Sequence, residues 1–388
     1  MRTPNPFHIP THRQPTPKLK IAVVGAGYWG PNLARNLQAS PDWDLVAICD
    51  LDIERATRLA ATLGDIPVVE SLDELLDTFD VDAVAIATPA RTHHGTVMTA
   101  LRAGKHVLVE KPLADSRAHG LEMVAEAEAN GLVLMADHTY CYTPAVLKMQ
   151  ELVQAGSLGE ILFVDSTRIN LGLVQPDVDV FWDLAPHDLA ILDFVLPGGL
   201  NPTEVSAFGA DPLGTGRACV GHLNFRLPND ATAHVHVNWL SPTKIRQMVI
   251  GGSLRTLVWD DLNPQQRLSV YDRGVSLDRQ AKSAGERKTS AVSYRLGDTW
   301  SPALPEREAL GQVVEELAYC IHNKREARTG GASGLRVLSV LEAVTRSLST
   351  DGQSSPVEGH ALAGAGLAGT RLAGAGVQLK GVQLEGAL

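Results

Sequence analysis

The side chains best suited to chemistry in this 388-residue chain fall in four short stretches. The first is the turn Gly25, Ala26, Gly27, Tyr28, Trp29, Gly30, which follows an apolar run and opens a helix-length segment. A first glycine permits the tight turn, a second lets backbone amides approach a pyrophosphate, and a third lets the helix pack close to a sheet. The second is Asp50, which ends the next apolar run about 20 residues further on, where a carboxylate can accept hydrogen bonds from both ribose hydroxyls of an adenosine. Its charge would repel a 2′-phosphate, and Leu51 and Asp52 supply no compensating cation, so NAD is the expected cofactor. Arg55 and Arg58 read as solvated helix residues.

The third stretch, Val109, Glu110, Lys111 and Pro112, ends a run that reads as a buried strand and so puts a lysine at the carboxyl edge of a sheet, where ligands of doubly wound folds bind. The fourth is residues 182–188, WDLAPHD. Pro186 suits the first position of a helix running to residue 196, which places His187 in its first turn. The positive end of that helix would lower the imidazole pKa and keep His187 a neutral proton acceptor, with Asp183 just before the turn to orient it. A lysine at a sheet edge and a neutral imidazole suit proton transfer to and from a ligand held there.

The elements that must position these residues are legible from periodicity. Between residues 20 and 137, short apolar runs at 20–24, 45–49, 67–69, 83–87, 106–109 and 132–136 alternate with amphipathic segments at 31–39, 53–63, 72–79, 94–103 and 117–130. Continuous apolar character marks strands covered on both faces, which predicts a parallel, doubly wound α/β sheet of Rossmann type. After residue 140 a helix is expected at 144–155. Alternating runs follow at 160–171, 204–208, 218–225, 231–239, 245–250, 256–259 and 268–271, and then helices at 306–321 and 334–348. That pattern predicts an α+β unit with a large open, mainly antiparallel sheet. The expected organisation is a Pro-rich arm at 1–18, an NAD-binding domain at 19–137, an α+β domain at 138–357, and a Gly/Ala-rich pentad tail at 358–388, read as weakly ordered with an ordered strand or oligomer contact as the alternative.

Composition restricts the function classes. Lys and Arg number 34 against 44 Asp and Glu, a net charge of -10, which gives no broad attraction to nucleic acid or anionic lipid. No apolar run has membrane-spanning length, and the proline-rich N-terminus lacks the apolar core of a secretion signal. Four cysteines, Cys49, Cys141, Cys219 and Cys320, are widely spaced and read as reduced thiols of a cytoplasmic protein.

The turn GAGYWG with Asp50, the segment ATPARTHH at 87–94, the EKP of residues 110–112 and WDLAPHD resemble, in that order, the Gfo/Idh/MocA oxidoreductases, over about residues 19–357. The resemblance implies a Rossmann domain, a second domain whose open sheet is often an oligomer interface (a homodimer or homotetramer here), and hydride exchange between a nicotinamide and a carbinol carbon of a sugar or cyclitol. It implies Lys111 as the active-site lysine, His187 as acid/base and Asp183 as the partner carboxylate. Thr88, Pro89 and His93 fall in the loop beneath the nicotinamide, with Gly25, Gly27, Tyr28, Trp29, Gly30, Asp50, Glu110 and Lys111 as the other cofactor residues. Ala90 stands where many members have Asn.

Substrate contacts are expected from Arg168 and Asn170, which share one face of a strand, and from Tyr140, Asp183 and His187. Asp137, His138 and Tyr142 are further hydrogen-bonding side chains for a polyhydroxylated ring. His234 and His236 share a strand face at a spacing that can hold a metal, but no third ligand is evident and a polar interface is the preferred reading, so no metal is expected. The wording of residues 27–36 and 167–173 is similar to members that oxidise a ring hydroxyl, commonly at C3, in nucleotide-sugar or aminoglycoside pathways, making a ketone for an aminotransferase. Two alternatives stand beside this reading: an NAD-assisted glycosidase of the same superfamily, and a non-catalytic NAD-sensing regulator.

Overall fold

The computed structural model describes residues 16–277 and 292–359. Residues 1–15 of the arm and the pentads from residue 360 lie outside the described residues.

The first sheet contains β1 (Leu19–Val24), β2 (Trp43–Cys49), β3 (Val68–Val69), β4 (Ala83–Ile86), β5 (His106–Glu110) and β6 (Leu134–Asp137) in the order β3-β2-β1-β4-β5-β6, every pair parallel. Helices α1 (Gly30–Ala39), α2 (Ile53–Ala61), α3 (Leu72–Thr78), α4 (Ala90–Arg102) and α5 (Arg117–Ala129) connect successive strands. All four residues of β4 are buried, as a strand covered on both faces must be. The strand order reverses between β1 and β4, and the crevice beyond their carboxyl ends is where such sheets bind ligands. Side-chain oxygens of Asp52, Ser71 and Ser116 accept the first free amides of α2, α3 and α5. Helix α4 starts at Ala90, one turn earlier than residue 94.

A short 3₁₀ turn (Thr139–Tyr142) and α6 (Pro144–Gln154) lead into the second sheet. Its strands are β7 (Ile161–Leu171), β8 (Glu204–Ala210), β9 (Val220–Arg226), β10 (Thr232–Asn238), β11 (Leu240–Gly252), β12 (Thr256–Asp260), β13 (Leu268–Leu277), β14 (Val292–Trp300) and β15 (Ser355–Pro356). They run β14-β13-β12-β11-β7-β10-β9-β8-β15, antiparallel throughout except for the central pair β7 and β10. The expected mixed, mainly antiparallel sheet is therefore present. It is wider than the periodicity suggested, because β14 and β15 carry no clear apolar alternation. Val164, Ala233, Val235, Met248 and Ile250 point to the buried face, where α7 (Val180–Val195) and α9 (Gly331–Leu348) lie.

The closing helices return to the first sheet. A Cβ on Gly120 would stand 2.7 Å from Leu338 Cδ1, and one on Gly334 the same distance from Leu113 Cδ2, so these glycines let α9 lie close to α5 and to the loop before it. In α8 (Ala309–Asn323), the Val314 carbonyl accepts from the Trp43 indole at 2.7 Å, and Glu308 just before it pairs with Arg35 at 2.6 Å. These contacts dock α8 and α9 on the first unit.

Candidate active site

The glycine turn sits at the carboxyl end of β1. Gly25 adopts φ +101°, and its amide donates to the Cys49 carbonyl at 2.7 Å, which docks the turn on β2. A Cβ at Gly30 would fall 1.9 Å from the Gly25 carbonyl oxygen, so the helix can start only with glycine there. Gly27 has nothing within 4 Å of its Cβ direction, the open approach a pyrophosphate needs. The Asp50 carboxylate, at the end of β2, accepts from the Ala26 amide at 2.6 Å and the Asp52 amide at 2.8 Å. Burial would raise its pKa, but these amides and Arg55 hold it below the usual value. The residues present therefore fit a dinucleotide: backbone amides with open space before them, and an ionised carboxylate at the ribose position. Arg55 is exposed, as expected of a solvated helix residue, and also pairs with Asp50. Its guanidinium contacts Asp50 Oδ1 at 2.6 Å.

Several expected cofactor residues spend their polar atoms on the protein itself. The Trp29 indole donates to Asp137 Oδ2 at 2.8 Å, tying the glycine turn to the end of β6, whereas the Tyr28 ring is 93% exposed. His93 is fully buried, with Nδ1 2.9 Å from the Pro112 carbonyl and Nε2 2.9 Å from the Thr88 carbonyl. It braces the 88–89 loop against the 110–112 loop and offers neither nitrogen to a ligand. Thr88 and Pro89 form the turn into α4, where the Thr88 hydroxyl accepts from Thr92 at 2.8 Å.

Lys111 and His187 are carried to one cleft by different units. Lys111 follows β5. Its Nζ donates to Asp183 Oδ1 at 3.1 Å and to the Asp183 carbonyl at 2.8 Å. The other Asp183 oxygen accepts from the Trp239 indole at 2.9 Å. Asp183 thus holds Lys111 and does not orient His187, contrary to expectation. Glu110 beside it is half-buried, with Oε2 enclosed and unpartnered among the described residues. Burial, opposed by Lys111 and reinforced by Asp137, pushes its carboxyl to about 8.

The helix carrying His187 also differs from the sequence reading. It begins at Val180, capped by Asp179, which accepts from the Phe181 and Trp182 amides, and Pro186 lies inside it. His187 is thus two turns from the positive end, too far for the helix dipole to set its pKa. Its pKa does lie well below 6.5, for another reason: burial first, then the neighbouring charges of Lys111 and Arg168. A proline within a helix removes one backbone bond and opens the turn before it, and in that turn the Asp183 carbonyl accepts from Lys111. His187 Nδ1 is buried with no hydrogen-bond partner among the described residues, which leaves Nε2 as the nitrogen for a ligand.

The expected substrate residues divide. Arg168 is 2% exposed and makes two bonds to Asp188, at 2.7 and 3.1 Å, so it is an internal ion pair and not a free ligand. Ser166 completes the arrangement by donating to Asp188 at 2.9 Å. Because Asp188 follows His187, this pair fixes α7 on β7 and thereby places the imidazole. Asn170, two positions on, is half-buried with no bond to a site side chain. Tyr140 packs edge-on to His187 at 5.1 Å between centroids, with the Arg168 guanidinium 4.4 Å over its ring. Tyr142 is buried with its hydroxyl 3.1 Å from Thr329 Oγ1, and Asp137 accepts from Trp29 and Thr139, so neither faces a ligand. His138 is buried with both nitrogens unpartnered, and burial lowers its pKa to about 4. Sequence reasoning missed Trp239 and Arg246. The signal for Arg246 was a charge on the same parity as the buried Met248 and Ile250. On the open face of the second sheet, His236 stacks on His222 at 4.2 Å and His234 hydrogen-bonds Asn224. Among the described residues no three metal-ligating side chains converge, and no helix is long and apolar enough to cross a membrane.

A glycine turn at the switch point of a parallel sheet, facing a lysine and a histidine from separate units, defines a two-part nicotinamide-dependent oxidoreductase. Residues 19–138 match the model of the oxidoreductase family with an NAD-binding Rossmann fold, GFO_IDH_MocA, and residues 146–258 match the GFO/IDH/MocA C-terminal domain. The chain belongs to this family. It is 29% identical over 324 residues to the UDP-N-acetylglucosamine 3-dehydrogenase of Acidithiobacillus ferrooxidans, covering 83% of this chain and 94% of that relative. A solved structure of that enzyme superposes with a TM-score of 0.73 at 26% identity, covering 87% of this chain and 99% of the other. Shorter stretches match an uncharacterized oxidoreductase of Streptococcus pneumoniae, 36% over 160 residues, and a dTDP-3,4-didehydro-2,6-dideoxy-alpha-D-glucose 3-reductase of Streptomyces antibioticus, 37% over 150 residues. They cover 41% and 38% of this chain, and the chain spans 43% and 45% of those two relatives.

Proposed function

We propose that this chain is an NAD-dependent dehydrogenase that oxidises a secondary ring hydroxyl, at C3, of a hexose unit in a nucleotide sugar or aminoglycoside precursor, giving a ketone suited to transamination. The observation that carries the reading is the meeting of Lys111, from the end of β5, with Asp183 and His187 on α7. Gly25 to Gly30 and Asp50 would hold the cofactor. Bound NAD supplies the acceptor for the hydride that leaves the carbinol carbon. His187 Nε2, neutral because of its burial, takes the hydroxyl proton. Lys111, aimed by Asp183 and Trp239, hydrogen-bonds the hydroxyl oxygen and favours its ionisation. Tyr140 walls the pocket beside His187. The ring position is supported by two relatives, whose names specify chemistry at carbon 3 of a nucleotide-linked hexose. A homodimer or homotetramer through the open face of the second sheet is consistent with exposed Phe208 on that face.

The test is absorbance at 340 nm with NAD against free hexoses, UDP-hexoses and glucosamine-containing pseudodisaccharides. NADH formation with a C3-hydroxyl sugar, lost with its 3-deoxy analogue, is the expected result. Product formed without NADH, by protein that retains NAD, would replace this reading with an NAD-assisted glycosidase.

A further inference from the structure

Arg246, on β11, is a cation of this cleft that the chemistry above does not use. Its register partner on β7 is Arg168, so the two side chains leave the sheet from neighbouring positions on the face that α7 covers. Their situations differ. Arg168 is closed off by two short bonds to Asp188. Arg246 is 31% exposed, and its side chain reaches a single carboxylate oxygen, of Asp261, at the long distance of 3.4 Å. Its Nε and Nη2 have no hydrogen-bond partner among the described residues. Its guanidinium lies 5.8 Å from the Tyr140 ring centroid, and that ring is 5.1 Å from His187. The charge is close enough to the imidazole to act on its protonation.

The carboxylates of the cleft are already engaged. Asp183 serves Lys111 and Trp239, Asp188 serves Arg168 and Ser166, and Glu110 Oε2 is enclosed. Among the described residues of the cleft the loosely held carboxylate is Asp261, where Arg246 beside it opposes a cationic amino sugar, whereas an anionic ligand would find a planar fork with unused donors. Arginine forks match phosphoryl oxygens in geometry and charge.

We propose that Arg246 is the anchor for a phosphoryl ester carried by the sugar substrate, and that it selects phosphorylated sugars over neutral or amino sugars. The inference rests on the sugar-dehydrogenase reading and narrows its substrate class. Hexose 1-phosphates and nucleotide diphosphate sugars share this chemistry. Asp261 is the internal competitor that a phosphoryl group displaces.

Calorimetric binding of UDP-glucose, glucose 1-phosphate and glucosamine to the full-length protein, alongside NADH formation from each, tests the proposal. Arg246→Gln is expected to weaken binding of the phosphorylated ligands about 10- to 100-fold, the value of a charged hydrogen bond, with Arg246→Lys in between. Asp261→Asn is expected to tighten them, a gain that misfolding cannot mimic. Comparison of the two phosphorylated ligands shows whether the nucleotide adds affinity. Equal affinities in wild type and Arg246→Gln, no gain in Asp261→Asn, or tighter binding of glucosamine than of glucose 1-phosphate would overturn the anchor. Phosphorylated sugars that bind through Arg246 without NADH formation would leave the anchor standing and overturn the dehydrogenase reading.

Discussion

Lys111 and Asp183, 72 positions apart in the chain, are joined twice: Nζ donates to the side-chain oxygen at 3.1 Å and to the backbone carbonyl at 2.8 Å. The second bond depends on backbone alone and survives loss of the carboxylate. Asp183→Asn should therefore lower kcat less than Lys111→Ala does. We expect the lysine variant to lose about 10²-fold or more, the scale of one donor to a developing oxyanion. The aspartate variant should show a smaller fall in kcat with a shifted pH profile. Steady-state kinetics with the best sugar of the panel, and NAD affinity as a folding control, check this. Equal losses in both variants would show that Asp183 does more than aim Lys111.

His187 should act as a base over an unusually wide range. Burial and the charges of Lys111 and Arg168 depress its folded pKa well below 6.5, so the imidazole stays neutral as pH falls through the ordinary histidine range. Sugar oxidation is expected to hold its rate from pH 8 to pH 6, and His187→Ala to lose about 10²- to 10⁴-fold across that span. An acidic limb in the pH profile of kcat/KM with a midpoint near 6.5, absent from the variant, would assign the residue an ordinary pKa and defeat the argument.

Arg168 and Asp188 give a prediction about stability. Both are nearly inaccessible, so removing one partner strands a buried charge. Asp188→Ala should cost about 3–5 kcal/mol in denaturant unfolding. Replacing both residues with apolar side chains of similar volume should cost much less. If Asp188→Ala instead unfolds normally and only raises the KM for sugar, Arg168 is a substrate ligand after all.

The residues that the fold places where the sequence pattern put them are those fixed by local rules. Gly25, Gly27, Gly30 and Asp50 are set by one βαβ unit, where turn sterics and strand length determine everything, and Lys111 is placed by the end of a continuous apolar strand. The misreadings come where contacts between distant segments override a local preference. Pro186 looks like a helix start because proline is usually excluded from helix interiors. Here Asp179 caps the helix earlier, and packing of Phe181 and Ala185 in the core carries it through the proline. Arg168 reads as a ligand because it shares one strand face with Asn170 and offers hydrogen bonds, and only the folded chain reveals Asp188 opposite it. His93 lies inside the right motif, yet its nitrogens are consumed by two carbonyls that sequence cannot place.

Glu110 connects the site to folding through protonation. Burial drives its carboxyl from 4.5 to about 8, so between those values the folded protein binds a proton that the unfolded chain has released. Stability must then fall as pH rises through that window and level off above about 8. Glu110→Gln keeps the shape and removes the titration. It is expected to flatten the pH dependence of the unfolding free energy between pH 5 and 8 and to leave the variant more stable than wild type at pH 8 by a few kcal/mol, since each tenfold change in proton affinity corresponds to about 1.4 kcal/mol. Urea unfolding of the full chain at several pH values measures this directly. A wild-type curve that is flat over the window, or a variant that is less stable at pH 8, would mean that Glu110 is ionised in the folded protein and held by a partner that its orphaned Oε2 does not show.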